Sequence, residues 1–210
     1  MYFKVLFMNE QESSLQELHH IRRMMEQSTR FISLSGFSGI AAGVCALAGS
    51  WFAVQFMHAY ASDQSIRYDE LEIRLWLLAA VVLVAALALA FVFTYLRSKK
   101  NGVSIWGNAT YRLLFNLALP LAAGGFFIVK IAELNLVSLI APACLLFYGL
   151  ALLNASKYTL GEIKYLGICE IILGVISLWV PGYGLVFWAA GFGVLHILYG
   201  GIMWWKYERK

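Results

Sequence analysis

Phe31-Ile-Ser-Leu-Ser-Gly-Phe-Ser-Gly-Ile-Ala-Ala-Gly-Val-Cys-Ala-Leu-Ala-Gly-Ser50 is the first long apolar run of this 210-residue chain. A helix of about 20 residues is roughly 30 Å long, the thickness of a bilayer hydrocarbon core. Gly, Ala and Ser occupy many positions where Leu or Phe would suit lipid better. Small residues let helix backbones approach closely, so a span of this kind is a packing element inside a membrane bundle.

Composition carries the same reading to the whole chain. Hydrophobic residues make up 61% of it and charged residues 13%, with a mean hydropathy of +0.72. Soluble domains hold about 45–50% apolar and about 25% charged residues, so the expected solvent is lipid. Outward from the first run, further apolar runs follow near 71–96, 112–131, 136–154, 162–180 and 183–204, the first itself reaching 31–57. The expected fold is an all-α membrane protein, six transmembrane helices in a compact bundle with an N-terminal cytoplasmic amphipathic helix. Its expected domains are a cytoplasmic segment 1–30, a membrane domain 31–205 and a cytoplasmic tail 206–210.

At the N-terminus, Met1–Phe7 is too short for a signal-peptide core, and Met8 is an alternative start. Ser14-Leu-Gln-Glu17 has the form of a capping box. Leu15, Leu18 and Met25 then oppose a polar face of Glu17, His19, Arg22, Arg23, Glu26 and Arg30, which reads as a membrane-surface helix. With both termini cytoplasmic, 13 of the 16 Lys and Arg residues lie inside, leaving only Arg67, Arg74 and Lys130 outside. The positive-inside rule therefore predicts both termini inside and an even number of spans. Trp51, Trp76 and Trp179 mark one set of span ends, and Trp106, Trp204 and Trp205 the other, as an aromatic belt requires.

Polar groups inside spans cost free energy unless they are paired or face a cavity. Glu170 in the fifth run, His196 in the sixth and Ser38 in the first are expected at similar depth. Asn116, Tyr148 and Asn154 enter from the same side, so a polar pocket facing the cytoplasm is expected. Glu170 and His196 read either as a structural pair or as a proton-coupled or ligand-binding site. Cys45, Cys144 and Cys169 fall in apolar runs and read as small buried hydrophobes. One membrane histidine beside one carboxylate is too thin a ligand set, so no metal and no cofactor are expected. Gly36 and Gly43, Gly167 and Gly174, and Gly193 and Gly200 are each seven apart, with Gly39 adding a close-approach position, so these glycines read as packing faces. The first run is accordingly expected to lie against the fifth and sixth.

Gly36-Phe37-Ser38-Gly39 together with His196-Ile-Leu-Tyr-Gly200 is similar to the serine and histidine elements of rhomboid intramembrane proteases. That similarity implies catalytic candidates Ser38, His196 and Glu170, as nucleophile, base and orienting group. The serine lies here on the first span, whereas in that family it lies on the fourth, and the long first outer loop is missing. Close helix packing is the preferred reading of the motif.

Arg22-Arg-Met-Met-Glu-Gln-Ser-Thr-Arg-Phe31 running into the first span, with the ending His196-Ile-Leu-Tyr-Gly-Gly-Ile-Met-Trp-Trp-Lys-Tyr-Glu208, resembles a family of small six-span bacterial inner-membrane proteins of unassigned function. The resemblance implies six spans and no particular activity. Three functions are in view: a non-enzymatic sensor, regulator or structural protein, a small transporter or channel, and an intramembrane serine hydrolase. The expected partners are the lipid bilayer, a second copy of the chain and a cytoplasmic regulatory protein at the N-terminal helix, with no direct nucleic-acid binding.

Overall fold

The computed structural model describes residues 34–63, 65, 67–102 and 104–209. The alternative start at Met8, the Ser14–Glu17 capping box and the amphipathic helix of segment 1–30 lie outside the described residues. Among the described residues, all regular structure is helical. The helices are α1 (Gly36–Ser62), α2 (Tyr68–Lys100), α3 (Asn108–Glu133), α4 (Ile140–Ala155), α5 (Glu162–Trp179) and α6 (Gly184–Tyr207). Short 3-10 turns at Val137–Leu139 and Ser156–Tyr158 extend α4 at both ends.

Among the described residues, each apolar run falls largely on one of these helices. Five of them are long and apolar enough to cross a membrane: α1, α2, α3, α4 with its flanking turns, and α6. α5 differs, because its 18 residues include Glu162, Lys164 and Glu170. α2 runs beyond the expected 71–96 at both ends. Asp69 and Glu70 occupy its first turn and Arg97, Lys99 and Lys100 its last, which complements the positive and negative ends of the helix dipole. In α2 only Leu71, Thr94 and Ser98 are buried. Its Leu77, Val81, Val84 and Leu87 are all exposed, an apolar surface that only lipid or another protein would cover without cost.

Glycines set the closest approaches. A Cβ at Gly43 of α1 would meet the Gly193 carbonyl of α6 at 2.6 Å, and one at Gly36 would run into the Gly200 carbonyl and the Trp204 amide. α1 therefore lies directly on the α6 backbone, and its other neighbour is α2, where Gly49 faces the Val82 side chain. This corrects the expectation that α1 lies against both the fifth and sixth helices. The glycine face of α5 is taken by α4 instead: a Cβ at Gly167 would meet the Gly149 carbonyl at 2.8 Å, and one at Gly174 would meet Leu145 Cβ at 3.1 Å. The main apolar cluster joins α4, α5 and α6 through Leu152, Leu160, Ile163, Leu166 and Met203.

Polar contacts tie the helix ends together. At one end, Glu208 beyond α6 accepts from the Gly36 amide at 2.5 Å and pairs with Arg97 of α2 at 3.0 Å. Ser35 Oγ donates to the same carboxylate, and Arg97 also donates to the Leu34 carbonyl. A carboxylate at the start of α1 is favoured by the helix dipole, so one acidic residue serves α1, α2 and α6 together. Lys206 of α6 bonds Glu162 of α5 at 2.5 Å. This end is called the Glu208 end below, and the opposite one, at the α1–α2 turn, the Asp63 end.

Candidate functional site

The strongest polar constellation is at mid-bundle, where α4, α5 and α6 meet. α6 is not regular there: Ala189–Leu195 is π-helical, between α-helical turns on either side. Local π geometry recurs at functional sites. The Gly191 carbonyl lies in this segment, and His196 Nδ1 is 3.0 Å from it. A carbonyl oxygen can only accept, so Nδ1 carries the proton. In the neutral ring Nε2 then accepts from the Tyr148 hydroxyl, 2.7 Å away on α4.

Glu170 of α5 completes the group. Its side chain has no exposed surface, and Oε1 lies 3.5 Å from His196 Nδ1. Neither carboxyl oxygen has a hydrogen-bond partner among the described residues. Gly191 makes the room: a Cβ there would collide with Glu170 Oε2 and with Leu145 Cδ2. A buried charged carboxylate needs a positive or donating partner, and His196 is the one placed to serve. The surroundings are aromatic. Phe192 stacks on His196 with ring centroids 6.0 Å apart, and Trp188 lies 5.0 Å from Phe192.

Of the six residues expected to share a pocket, Glu170, His196 and Tyr148 come together. The other three are elsewhere. Ser38 is buried, but its hydroxyl donates to the Ser35 carbonyl at 2.5 Å. Both His196 nitrogens are engaged by Gly191 and Tyr148, so the serine–histidine contact that nucleophilic catalysis needs is not made.

Asn116 and Asn154 have a backbone task. Pro120 inside α3 has no N–H to give to the carbonyl four residues before it, which is that of Asn116. Asn154 Nδ2 of α4 donates to that carbonyl at 3.1 Å. The Asn116 side chain itself donates to the Arg112 carbonyl at 2.8 Å. Asn154 thus repairs a proline defect, while the Asn116 side chain bonds within its own helix.

A second feature was not foreseen. A cavity of about 620 Å³ lies toward the Asp63 end, between the α1–α2 pair and α4, with Trp188 and Cys144 in its wall. None of the six expected pocket residues lines it. The sequence signals for it are weak: Pro181-Gly182 forces the turn beside it, and Gly49 of α1 and Gly184 at the start of α6 are also in its wall. Trp188 stands in the cavity wall and also touches Phe192, so one aromatic layer separates the cavity from His196.

Among the described residues, no group of three or more His, Cys, Asp or Glu side chains could hold a metal ion. No protein-family model matches the chain, and no curated protein or solved structure matches it. Fold and composition together define a multi-pass helical membrane protein.

Proposed function

We propose that this protein is a non-enzymatic, proton-responsive membrane sensor or regulator whose centre is the Glu170–His196–Tyr148 cluster. The carrying observation is the Glu170 carboxyl, which has no hydrogen-bond partner among the described residues and is enclosed 3.5 Å from His196. Purely structural polar groups in a bundle normally find hydrogen bonds, whereas a buried ionisable group held without one is a functional candidate. Gain or loss of a proton at this pair changes the charge between α5 and the π segment of α6. An α-to-π adjustment there is a small movement with a helix-long lever.

The reading includes six spans, with α5 as the additional one. Its 18 residues reach about 27 Å, close to the hydrocarbon thickness. It places the protein in the bacterial inner membrane with both termini cytoplasmic. The Glu208 end carries Arg97, Lys99, Lys100, Lys206 and Arg209, which favours the cytoplasmic side by the positive-inside rule. A reporter fused after Lys210 tests this: green fluorescent protein should fluoresce there and alkaline phosphatase should stay inactive.

A pH titration of the purified protein by difference infrared spectroscopy tests the sensor. A carboxyl signal that titrates in the wild type and disappears in Glu170→Gln is the expected result, with the variant still folded. The same signal in wild type and Glu170→Gln would remove the proposal, as would the absence of any titrating carboxyl. Transport is the second reading, favoured by one observation: the cavity and the cluster share the Trp188–Phe192–His196 aromatic ladder.

A further inference from the structure

We propose that the cavity at the Asp63 end binds a lipophilic organic cation, a compact apolar or aromatic body carrying one positive charge, with Glu72 as its counter-ion. Its volume, about 620 Å³, falls in the range of roughly 300–1,000 Å³ that holds one small organic molecule. The wall follows α2 from Tyr68 to Val82, a depth of roughly 20 Å. Polarity changes along it. Glu72 and Asn135 are near the helix ends and Trp188 is one turn into α6, while Leu78 and Val82 lie farther along α2. Ser50 is the polar residue deep in the wall, and its hydroxyl is already bonded to the Ala46 carbonyl.

Charge then selects the occupant. Three neighbouring carboxylates have cations: Asp69 pairs with Arg67 at 2.9 Å, Glu70 with Arg74 at 2.5 Å, and Glu133 with Lys130 at 2.8 Å, while Asp63 accepts from the Ser65 amide at 2.9 Å. Glu72, in the cavity wall, has no ion pair among the described residues; its contact is Trp76 Nε1 at 3.4 Å. Trp76, Tyr68 and Trp188 add three aromatic rings to the same wall, and ring faces attract cations, more strongly where water is excluded. An anion would meet only repulsion at Glu72, and a neutral ligand would leave both the charge and the rings unused. This inference does not depend on the role of Glu170 and His196.

Equilibrium dialysis of radiolabelled tetraphenylphosphonium against the full chain in dodecyl maltoside tests it. Saturable binding at one site is expected, weakened tenfold or more in Glu72→Gln and largely retained in Glu72→Asp. Tetraphenylborate has the same apolar body with the opposite charge, and should bind the wild type far more weakly. Three results would overturn the proposal: no saturable binding, equal affinity in wild type and Glu72→Gln, or equal affinity for the two tetraphenyl ions. A co-purified phospholipid that the probe cannot displace would assign the cavity to lipid and overturn it as well.

Discussion

At the residue scale, the most informative atom is His196 Nε2. It is buried, and the Tyr148 hydroxyl is its hydrogen-bond partner. Tyr148→Phe keeps the ring contacts with Phe192 and removes only that donor. The expected cost is about 1–3 kcal/mol, the penalty for leaving a buried polar group unsatisfied. Thermal unfolding in detergent should show a lowered midpoint. In a His196→Ala background the same substitution should cost much less, since the orphaned acceptor is gone. Equal costs in the two backgrounds would show that the hydroxyl contributes nothing through His196. Gly191 belongs to this scale too, because its missing side chain is what lets Glu170 approach the π segment.

At the element scale, α3 and α4 show how a membrane helix tolerates proline. Pro120 removes one hydrogen bond from α3, and within an apolar layer the freed Asn116 carbonyl has no water to turn to. Asn154 supplies the donor from the next helix. Asn154→Ala should therefore destabilise the bundle by about 0.6–1.7 kcal/mol, the average and maximum found for interhelical hydrogen bonds in membranes by double-mutant cycles. In a Pro120→Ala background the residue at 120 regains its N–H, the helix repairs itself, and Asn154→Ala should become nearly neutral. Chemical unfolding of the four variants measures this directly. Undiminished loss in the double variant would mean that Asn154 acts through something other than the carbonyl. The pairing of α1 with α6 and of α5 with α4 is also settled here, by glycines that bring backbones into contact.

At the scale of the whole molecule, Glu208 joins three helices whose ends are far apart in sequence. Arg97 and Glu208 have side chains only 10% and 14% exposed, so water and salt screen them little. Glu208→Gln keeps the shape and removes the charge that faces the α1 N-terminus and Arg97. About 1.5–3 kcal/mol of stability should be lost, as for other hydrogen bonds to charged groups. The loss should be similar at low and high salt. The Arg67–Asp69 pair, 80% and 60% exposed, is the comparison: Asp69→Asn should leave the unfolding midpoint almost unchanged, as is usual for surface ion pairs. Should Glu208→Gln prove as silent as Asp69→Asn, the three helices are held by apolar packing alone.

Much of this was legible in the chain. Six apolar runs located six helices, five of them long and apolar enough to cross a membrane, because a span demands a long stretch without charge and that demand is local in sequence. The same logic picked out Glu170 and His196, since an ionisable residue inside such a run is conspicuous. Several things were decided only by the tertiary structure. Gly36-Phe37-Ser38-Gly39 offers the same small-residue surface to any partner; the opposing Gly193 and Gly200 determine that α6 is that partner. Ser38 bonds its own turn, away from His196, because a hydroxyl in a helix start has a nearer acceptor in Ser35. The cavity beside Glu72 and the triple junction at Glu208 arise where helices distant in sequence meet. Periodicity and composition report how each helix meets its solvent. Which helices meet one another, and what space they leave between them, depends on fitting the side chains of all of them at once.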